Sequence, residues 1–233
     1  MKSDLPKVLH LLCGKSLIEH VLGNLQSAGI NDILVVVGYR GNEVIDKLGS
    51  NVNYVWQHEQ LGTGHAVMQA EDYFKDYDGD IIVACGDVPL IKPDTFKALV
   101  NSAQDEKTGA VVLTMIQDNP TGYGRIIKND GEFVRIVEEK DADDNQRQIK
   151  EVNSGTYIFK SRFLFEGLKK INTENAQREY YLPDALNYII SSGLNVRTIL
   201  LHEPVEGKGV NTREELESLE QYVLNRHQDK INE

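Results

Sequence analysis

Residues 83–90 read VACGDVPL and residues 57–66 read QHEQLGTGHA, and these two stretches decide the fold and the kind of site. In the first, an apolar strand ends abruptly before Asp87. Open α/β sheets place ligand-binding carboxylates just outside the carboxyl ends of their strands, so Asp87 is a candidate ligand of a nucleotide or a metal ion. In the second, Gly62 and Gly64 allow backbone amides to approach a flat ligand. Together the stretches predict a nucleotide site with a metal-binding acid beside it.

The composition limits the classes of function. The 36 acidic and 25 basic residues give a net charge of −11, which argues against general binding of nucleic acid or of an anionic membrane but permits a local basic cleft. The two cysteines, Cys13 and Cys85, lie on unrelated segments and are expected to be reduced thiols. No apolar run reaches membrane-spanning length, and Lys2, Asp4 and Lys7 fit no secretory leader, so the expected location is the cytoplasm.

Apolar, β-branched runs alternate with amphipathic segments in the first half of the chain. Near-continuous apolar runs are typical of strands buried on both faces, so the alternation predicts a doubly wound, mainly parallel sheet of the Rossmann-like kind. The predicted strands cover 32–38, 53–57, 80–85 and 110–115. The predicted helices cover 16–28, 42–48, 64–75 and 92–103.

The pattern changes after residue 115. Closely spaced strands at 124–128, 132–139 and 151–159, with a hairpin turn at Asn129-Asp130-Gly131, predict a small antiparallel lobe over about 116–160 that forms a lid or floor for a second ligand. The remaining predictions are helices at about 161–171, 181–192 and 212–226 and a strand at 195–201. Residues 1–233 are therefore expected to form one α/β domain with a small antiparallel lobe.

The other polar candidates each have an ordinary structural explanation when taken singly. Lys7 can clamp a phosphate or simply lie on the surface, and Asp87 can bind a cation or cap a helix. The Gly-Tyr-Gly run at 122–124 can approach a ligand closely or form a common turn. The run Glu138-Glu139-Lys140 is usually only a solvated strand end.

Two further runs leave alternatives open. Asn153-Ser154-Gly155 interrupts an apolar strand, which indicates either a bulge that faces a ligand or an ordinary irregularity. Asn211 or Thr212 can cap the last helix. The six histidines form no HxxxH or HExxH pair, so neither a histidine metal site nor a Ser-His-Asp triad is predicted.

Eight motifs follow one another along the chain at compatible spacing. They are KSDLPKVLH (2–10), QHEQLGTGHA (57–66), GDVPL (86–90), NPTGYGRI (119–126), IVEEKDA (136–142), EVNSGTY (151–157), NAQREYYLPD (175–184) and GVNTR (209–213). Together they closely resemble the uridyltransferase domain of bacterial N-acetylglucosamine-1-phosphate uridyltransferase, a sugar-nucleotide pyrophosphorylase. The QLGTGHA loop and the EYYLPD run are similar to the N-acetylhexosamine branch of such enzymes rather than to glucose or rhamnose-pathway relatives.

The resemblance implies roles for the nucleotide-binding residues. Gln57, Gly62 and Thr63 are expected at the uracil, and Gly86 is expected beside the nucleotide. Lys7 is expected to face the nucleotide phosphates and to act in catalysis.

The resemblance also implies a metal site and a sugar site. Asp87 and Asn211 are expected to hold the catalytic Mg²⁺, and Asp87 is the second expected catalytic residue. Gly124, Glu138 and Asn153 are expected to bind the N-acetylglucosamine, and Asn211 is also expected to be a sugar-binding residue. The implied reaction joins UTP and N-acetylglucosamine 1-phosphate into UDP-N-acetylglucosamine and releases pyrophosphate.

The chain departs from the family pattern at both ends. Members begin with a central strand and a glycine-rich loop that cradles the triphosphate, whereas here Met1 falls at the methionine of that loop. Without that strand, ladder groups on both neighbouring strands lack partners, and each unmade buried hydrogen bond costs about 1–3 kcal/mol. The last helix shows no hexapeptide repeat, so acetyl transfer is not predicted. Arg178 and Cys85 also replace a glycine and an aromatic residue that are common in the family.

Three readings of the function stay open. The first is the active uridyltransferase, with the start assigned at an internal methionine, and we favour it because the other motifs look intact. The second is an impaired or vestigial paralogue that still binds a sugar nucleotide, and the third is a nucleotidyltransferase for another sugar phosphate. For residues 1–233 alone, strongly impaired turnover is expected.

Overall fold

The computed structural model describes residues 4–232, and it has an α/β architecture. Met1 and Lys2, on which two of the predictions above depend, lie outside the described residues. The strands are β1 (Leu11–Leu12), β2 (Lys15–Ser16), β3 (Leu34–Val37), β4 (Asn53–Trp56), β5 (Asp80–Val83), β6 (Thr108–Ile116), β7 (Arg125–Asn129), β8 (Glu132–Val137), β9 (Glu151–Lys160) and β10 (Asn195–Leu200). The helices are α1 (Leu17–Ser27), α2 (Gly41–Leu48), α3 (Thr63–Met68), α4 (Glu71–Phe74), α5 (Pro93–Ser102), α6 (Asp144–Arg147), α7 (Ser161–Leu168), α8 (Ala185–Ser191) and α9 (Arg213–Asn232).

The main sheet has six strands in the order β10-β6-β9-β7-β8, with β5 paired to β9. Strand β10 is parallel to β6, whereas β9 is antiparallel to both β5 and β6, so β5, β6 and β10 run in one direction. Strands β3 and β4 are parallel to each other and form a separate two-stranded sheet. The parallel strands expected from the alternation are therefore present, with β9 inserted among them.

Strand β9 differs from the sequence expectation, which assigned it to the antiparallel lobe. Its first residues pair with β6 and β7, but residues 157–160 lie between β5 and β6 in the main sheet. The reason is burial, since Tyr157, Ile158 and Phe159 are at most 3% exposed; Tyr157 and Phe159 belong to a large apolar cluster and Ile158 to a smaller one on the other face of the strand. The turn between β7 and β8 agrees with its prediction, because Asp130 and Gly131 both have positive φ, as a type I′ hairpin requires.

The predicted helices are present, but one is divided into two and another begins with a 3-10 turn. The segment 64–75 is two short helices, α3 and α4, rather than one. The segment predicted over 181–192 begins with a 3-10 turn at Leu182–Asp184 before α8. The hairpin β1–β2 was not predicted from the sequence; its turn uses Cys13 and Gly14, both with positive φ. No helix within residues 4–232 is both long and apolar enough to cross a membrane.

Two large apolar clusters cover the opposite faces of the sheets. One includes Val35 and Val37 of β3 with side chains of α1, and the other includes Ile81 of β5 with side chains of α7 and α8. The neighbouring Leu34 packs against the second cluster, as expected when successive side chains of a strand point to opposite faces.

Candidate functional site

Lys7, Asp87 and Asn211 meet at one corner of the molecule, which we call the charged corner. The Lys7 ammonium forms an ion pair with Oδ2 of Asp87 and donates to Oδ1 of Asn211 at 2.9 Å. Asn211 is 204 residues from Lys7 in the chain, so only the fold brings these groups together. Asp87 follows β5, and its carbonyl oxygen accepts from the Val210 amide at 3.0 Å, which anchors the segment that carries Asn211.

Thr212, and not Asn211, caps the last helix. The Thr212 hydroxyl accepts from the Glu215 amide at 3.1 Å, while the Glu215 carboxylate accepts from the amides of Thr212 and Asn211. This reciprocal pattern is a capping box, which satisfies the first amides of the helix. The Asn211 side chain therefore remains directed at Lys7.

The polar loop after β4 packs against the segment around Tyr180. Gly62 has a φ of +109°, and a Cβ there would lie 2.6 Å from the Tyr180 carbonyl oxygen. The Gly64 amide donates to that same oxygen at 2.7 Å. Both glycines are thus required for a close approach of the chain to itself. The sequence interpretation, an approach to a flat ligand, missed this contact.

Gln57 and Thr63 also stabilise this loop. Gln57 Nε2 lies 3.1 Å from the Gly62 carbonyl oxygen and 3.1 Å from Nδ1 of His65. The Thr63 hydroxyl accepts from the Leu182 amide at 3.1 Å. The loop is therefore held by two parts of the chain, with Gln57 at the carboxyl end of β4.

Gly124, Glu138 and Asn153 lie together, and we call them the Glu138 pocket. The Asn153 amide donates to the Gly124 carbonyl oxygen at 2.9 Å, and Asn153 Nδ2 donates to the Tyr157 hydroxyl at 2.5 Å. A Cβ on Gly124 would lie 2.8 Å from Ile136 and 3.2 Å from Oε1 of Glu138. A side chain at position 124 would therefore displace the Glu138 carboxyl group.

The strand interruption at Asn153-Ser154-Gly155 is a bulge. The pairing of β6 with β9 shifts between Val112 and Thr114, and Gly155 has a φ of +79°. The Asn153 side chain accepts from the Gly155 amide at 3.0 Å. A Cβ at Gly155 would come within 3.0 Å of Sγ of Cys85, so the bulge lies against the end of β5.

Glu138 is the most perturbed carboxyl group of the pocket. Burial, together with three nearby carboxylates, raises the pKa of Glu138 to about 7. These carboxylates are Asp184, Asp141 and Glu179. The expectation of a solvated strand end is therefore wrong for Glu138, because its carboxyl group lies inside the pocket and faces acidic neighbours.

Arg125 stabilises the loop beside the Glu138 pocket and was not singled out from the sequence. It is only 1% exposed, and its guanidinium donates to the Tyr123 carbonyl oxygen and to Glu139. Glu139 in turn accepts from the Gly122 amide at 3.2 Å. The signal available in the sequence was an arginine that directly follows the Gly-Tyr-Gly run and precedes the apolar pair Ile126-Ile127.

The charged corner and the Glu138 pocket open into one cavity. Its lining includes Lys7, Gly86, Glu138 and Asn153. Burial, followed by the negative charge of Asp87, raises the pKa of the Cys85 thiol to about 12 in the same place. Gly86 is close-packed here, since a Cβ on it would lie 3.2 Å from Val8.

These features define an α/β protein of the nucleotide-binding class, with its polar groups outside the carboxyl ends of the strands. A family model described as nucleotidyl transferase matches residues 2–203. The chain belongs to that family. The matched range contains Lys7, Asp87 and the Glu138 pocket, whereas Asn211 lies beyond it.

Curated relatives confirm the resemblance drawn from the motifs. The chain is 43% identical over 227 residues to the bifunctional protein GlmU of Oceanobacillus iheyensis and 44% identical over 227 residues to that of Streptococcus agalactiae. The corresponding protein of Acetivibrio thermocellus is 41% identical over 232 residues. In each case the match covers 97% of this chain but 50% of the relative, so the chain spans about half the length of these proteins.

Solved structures confirm the fold. A putative glucose-1-phosphate thymidylyltransferase from Bacillus anthracis in complex with a sucrose superposes with a TM-score of 0.71 and 20% identity, covering 93% of this chain and 85% of that one. A UDP-glucose pyrophosphorylase complexed with UDP-glucose superposes with a TM-score of 0.74 and 17% identity, covering 95% of this chain and 91% of that one. The predicted Rossmann-like nucleotidyltransferase fold is thus confirmed.

Proposed function

We propose that this chain carries the site for transfer of UMP from UTP to N-acetylglucosamine 1-phosphate. The products are UDP-N-acetylglucosamine, a cell-wall precursor, and pyrophosphate. The single observation that carries the proposal is the meeting of Lys7, Asp87 and Asn211 beside the Glu138 pocket. A charged corner next to a polar pocket suits a substrate with phosphates at one end and a sugar at the other. We also keep the cytoplasm as the proposed location.

The charged corner fits Mg²⁺. Its donors are a carboxylate oxygen of Asp87 and an amide oxygen of Asn211, which are the hard oxygen ligands that Mg²⁺ prefers. The Lys7 ammonium already lies against both oxygens, so a positive charge is favoured there. Within residues 4–232 no group of three or more His, Cys, Asp and Glu side chains could hold a metal. Mg²⁺ usually takes one or two carboxylates and completes its shell with waters and substrate phosphate oxygens. When bound, Mg²⁺ supplies Lewis-acid stabilisation of phosphoryl charge.

The nucleotide lies along the polar loop in this proposal. Gln57, at the end of β4, offers its amide oxygen to the uracil because Nε2 is directed to Gly62 and His65. Gly62 and Thr63 line the base, and Gly86 allows the phosphates to approach the carboxyl end of β5. The Lys7 ammonium neutralises phosphate charge as a point cation.

The sugar occupies the Glu138 pocket. Asn153 and Glu138 bond sugar hydroxyls, and the Gly124 backbone bonds the acetyl group. Position 124 has no room for a side chain beside Glu138. Arg125 and Glu139 hold the loop that carries Gly124 in place.

The chemistry requires positioning and charge neutralisation rather than a protein nucleophile. An oxygen of the sugar 1-phosphate attacks the α-phosphorus of UTP in line, a new P–O bond forms, and the bond to the pyrophosphate oxygen breaks. No base is needed because the attacking phosphate is already ionised. Lys7 contributes by stabilising the charge that develops on the transferred phosphoryl group.

The test is release of pyrophosphate from UTP, Mg²⁺ and a sugar 1-phosphate. For residues 1–233 alone we expect slow release that requires all three components and is faster with N-acetylglucosamine 1-phosphate than with glucose 1-phosphate. Binding of UDP-N-acetylglucosamine, followed by calorimetry, provides an arm that does not depend on turnover. Binding without pyrophosphate release identifies a sugar-nucleotide-binding remnant, and preference for another sugar phosphate overturns the assigned substrate.

A further inference from the structure

Tyr157, the last residue of the EVNSGTY motif, is a buried tyrosine whose hydroxyl reaches the Glu138 pocket. It is 3% exposed, yet it is among the residues that line the cavity shared by the pocket and the charged corner. On β9 it pairs with Val83 of β5 on one side and with Val112 of β6 on the other. Its ring stacks on Phe159 with 5.4 Å between the ring centroids. The main sheet therefore fixes the position of the hydroxyl.

The Asn153 side chain has one orientation because both of its polar atoms are bonded. Its Oδ1 accepts from the Gly155 amide at 3.0 Å, which the side-chain nitrogen cannot do. Its Nδ2 donates to the Tyr157 hydroxyl at 2.5 Å. A carboxamide nitrogen carries two hydrogens, and within residues 4–232 the second one has no acceptor. This second N–H is therefore available to a ligand.

The Tyr157 hydroxyl also has a hydrogen left to donate. Among the described residues, Nδ2 of Asn153 is its one hydrogen-bond partner, and a carboxamide nitrogen is a donor that cannot accept the phenolic hydrogen. Burial raises the pKa of Tyr157 well above its usual range, so the hydroxyl keeps its proton. A buried donor without an acceptor is costly, and a ligand that brings an acceptor removes that cost.

Glu138 supplies an acceptor next to these two donors. The Gly124 carbonyl oxygen accepts from the Asn153 amide at 2.9 Å, and a Cβ on Gly124 would lie 3.2 Å from Oε1 of Glu138. Tyr157 is also close enough to Glu138 for the charge of that carboxyl group to raise the pKa of the phenol. Two donors and one acceptor therefore border the same part of the cavity.

We propose that Tyr157 is a sugar-binding residue that determines specificity. Its O–H and the free N–H of Asn153 donate to the oxygen of one sugar hydroxyl, and that hydroxyl donates to Glu138. A hydroxyl has two lone pairs and one hydrogen, so two donors and one acceptor satisfy it completely. A sugar without that hydroxyl leaves buried polar groups unpaired and is rejected. The inference rests on the proposed function, to which it adds this residue and this contact.

The test is binding of UDP-N-acetylglucosamine by the whole chain, measured by calorimetry. Tyr157→Phe removes only the hydroxyl and keeps the ring, and we expect it to bind about tenfold more weakly than the parent. Binding of UDP, which lacks the sugar, should not change. Tyr188→Phe is the matched control, since that hydroxyl donates to Glu166 at 2.6 Å and does not line the cavity. It should bind both ligands as the parent does.

Deoxy analogues identify the contact. The probes are three forms of UDP-N-acetylglucosamine in which the sugar hydroxyl at carbon 3, 4 or 6 is replaced by hydrogen. With one of them the parent and Tyr157→Phe should bind equally, because the hydroxyl that Tyr157 contacts is already absent. With the other two the difference of about tenfold should persist. The same loss with all three analogues means that Tyr157 contacts no sugar hydroxyl, and it overturns the proposal.

A purely structural role gives a different result in the same experiment. If Tyr157→Phe lowers the melting temperature and weakens binding of UDP and UDP-N-acetylglucosamine equally, the hydroxyl supports only the fold. Equal binding of UDP-N-acetylglucosamine by the parent and the variant means that the hydroxyl does nothing for the sugar. Either result overturns this inference alone. If the parent binds no UDP-N-acetylglucosamine, the proposed function fails, and this inference fails with it.

A measurement on the parent chain does not depend on the folding of any variant. With tyrosine labelled with ¹³C at Cζ, saturation with UDP-N-acetylglucosamine should shift the Tyr157 signal, because the phenol gains an acceptor for its proton. UDP alone and the deoxy analogue that lacks the contacted hydroxyl should leave the signal in place. If UDP-N-acetylglucosamine binds without shifting this signal, the proposal is overturned.

Discussion

The charged corner and the Glu138 pocket border one cavity but hold their carboxylates in opposite ways. In the corner, the Asp87 carboxylate is 19% exposed at its side chain and forms an ion pair with Lys7. In the pocket, burial and neighbouring acids raise the pKa of Glu138 to about 7. The corner therefore presents an ion pair to phosphates and cations, whereas the pocket suits the neutral hydroxyls of a sugar.

The largest expected effect comes from removing the charge of the corner. In the active enzyme of this family, Asp87→Ala should lower Mg²⁺-dependent pyrophosphate release about 10³-fold, or roughly 4 kcal/mol, because a cation ligand and the partner of Lys7 are lost. Asp94→Ala, on the exposed side of α5, is the matched control and should leave turnover unchanged. Equal turnover by the Asp87 variant would reject its assignment.

The second-largest effect is expected on the stability of the fold, when the buried Arg125 beside the pocket is replaced. Arg125→Met leaves Glu139 and the Tyr123 carbonyl oxygen without their buried partner, so we expect a loss of about 3 kcal/mol in the free energy of unfolding. Urea unfolding measures this loss. Arg147→Met provides the control, since that side chain is 43% exposed at the same carboxylate and should cost at most about 1 kcal/mol. Similar losses for both variants would show that the burial of Arg125 is unimportant.

Glu138 should make stability fall as the pH rises. Its folded pKa, about 7, lies above the ordinary 4.5, so its favourable contribution is complete below pH 4.5 and is lost as the pH rises through 7. Allowing for partial exposure, we expect about 2 kcal/mol. Glu138→Gln should therefore be more stable than the parent at pH 8 but not at pH 4.5.

The matched control for Glu138 is Glu132→Gln at the exposed start of β8. Measured by urea unfolding, this variant should have the same free energy of unfolding as the parent at pH 8 and at pH 4.5. A Glu138→Gln variant that follows the parent at both would mean that the carboxyl group is not held in an unfavourable environment.

Much of the fold and part of the site follow from the sequence alone. Runs such as DILVVVG show two-faced burial locally, and the Asp130-Gly131 turn needs only its own backbone geometry. The meeting of Lys7 with Asn211 could not be derived from spacing, because it depends on the packing of segments 204 residues apart. The place of β9 between β5 and β6 escaped for the same reason, since pairing partners are not encoded in a single apolar run.

Arg178 gives the smallest expected effect and tests whether the neighbouring segment is strained. It has a φ of +56°, in the left-handed region where glycine is favoured, and glycine is the residue that the resemblance leads us to expect there. Arg178→Gly should raise the free energy of unfolding by about 1 kcal/mol because it removes this backbone strain. Arg178→Ala, which removes the side chain but keeps a Cβ, should show little change. If both variants are stabilised equally, the cause is the side chain and not the backbone, and the segment that holds Gly62 and Gly64 is unstrained.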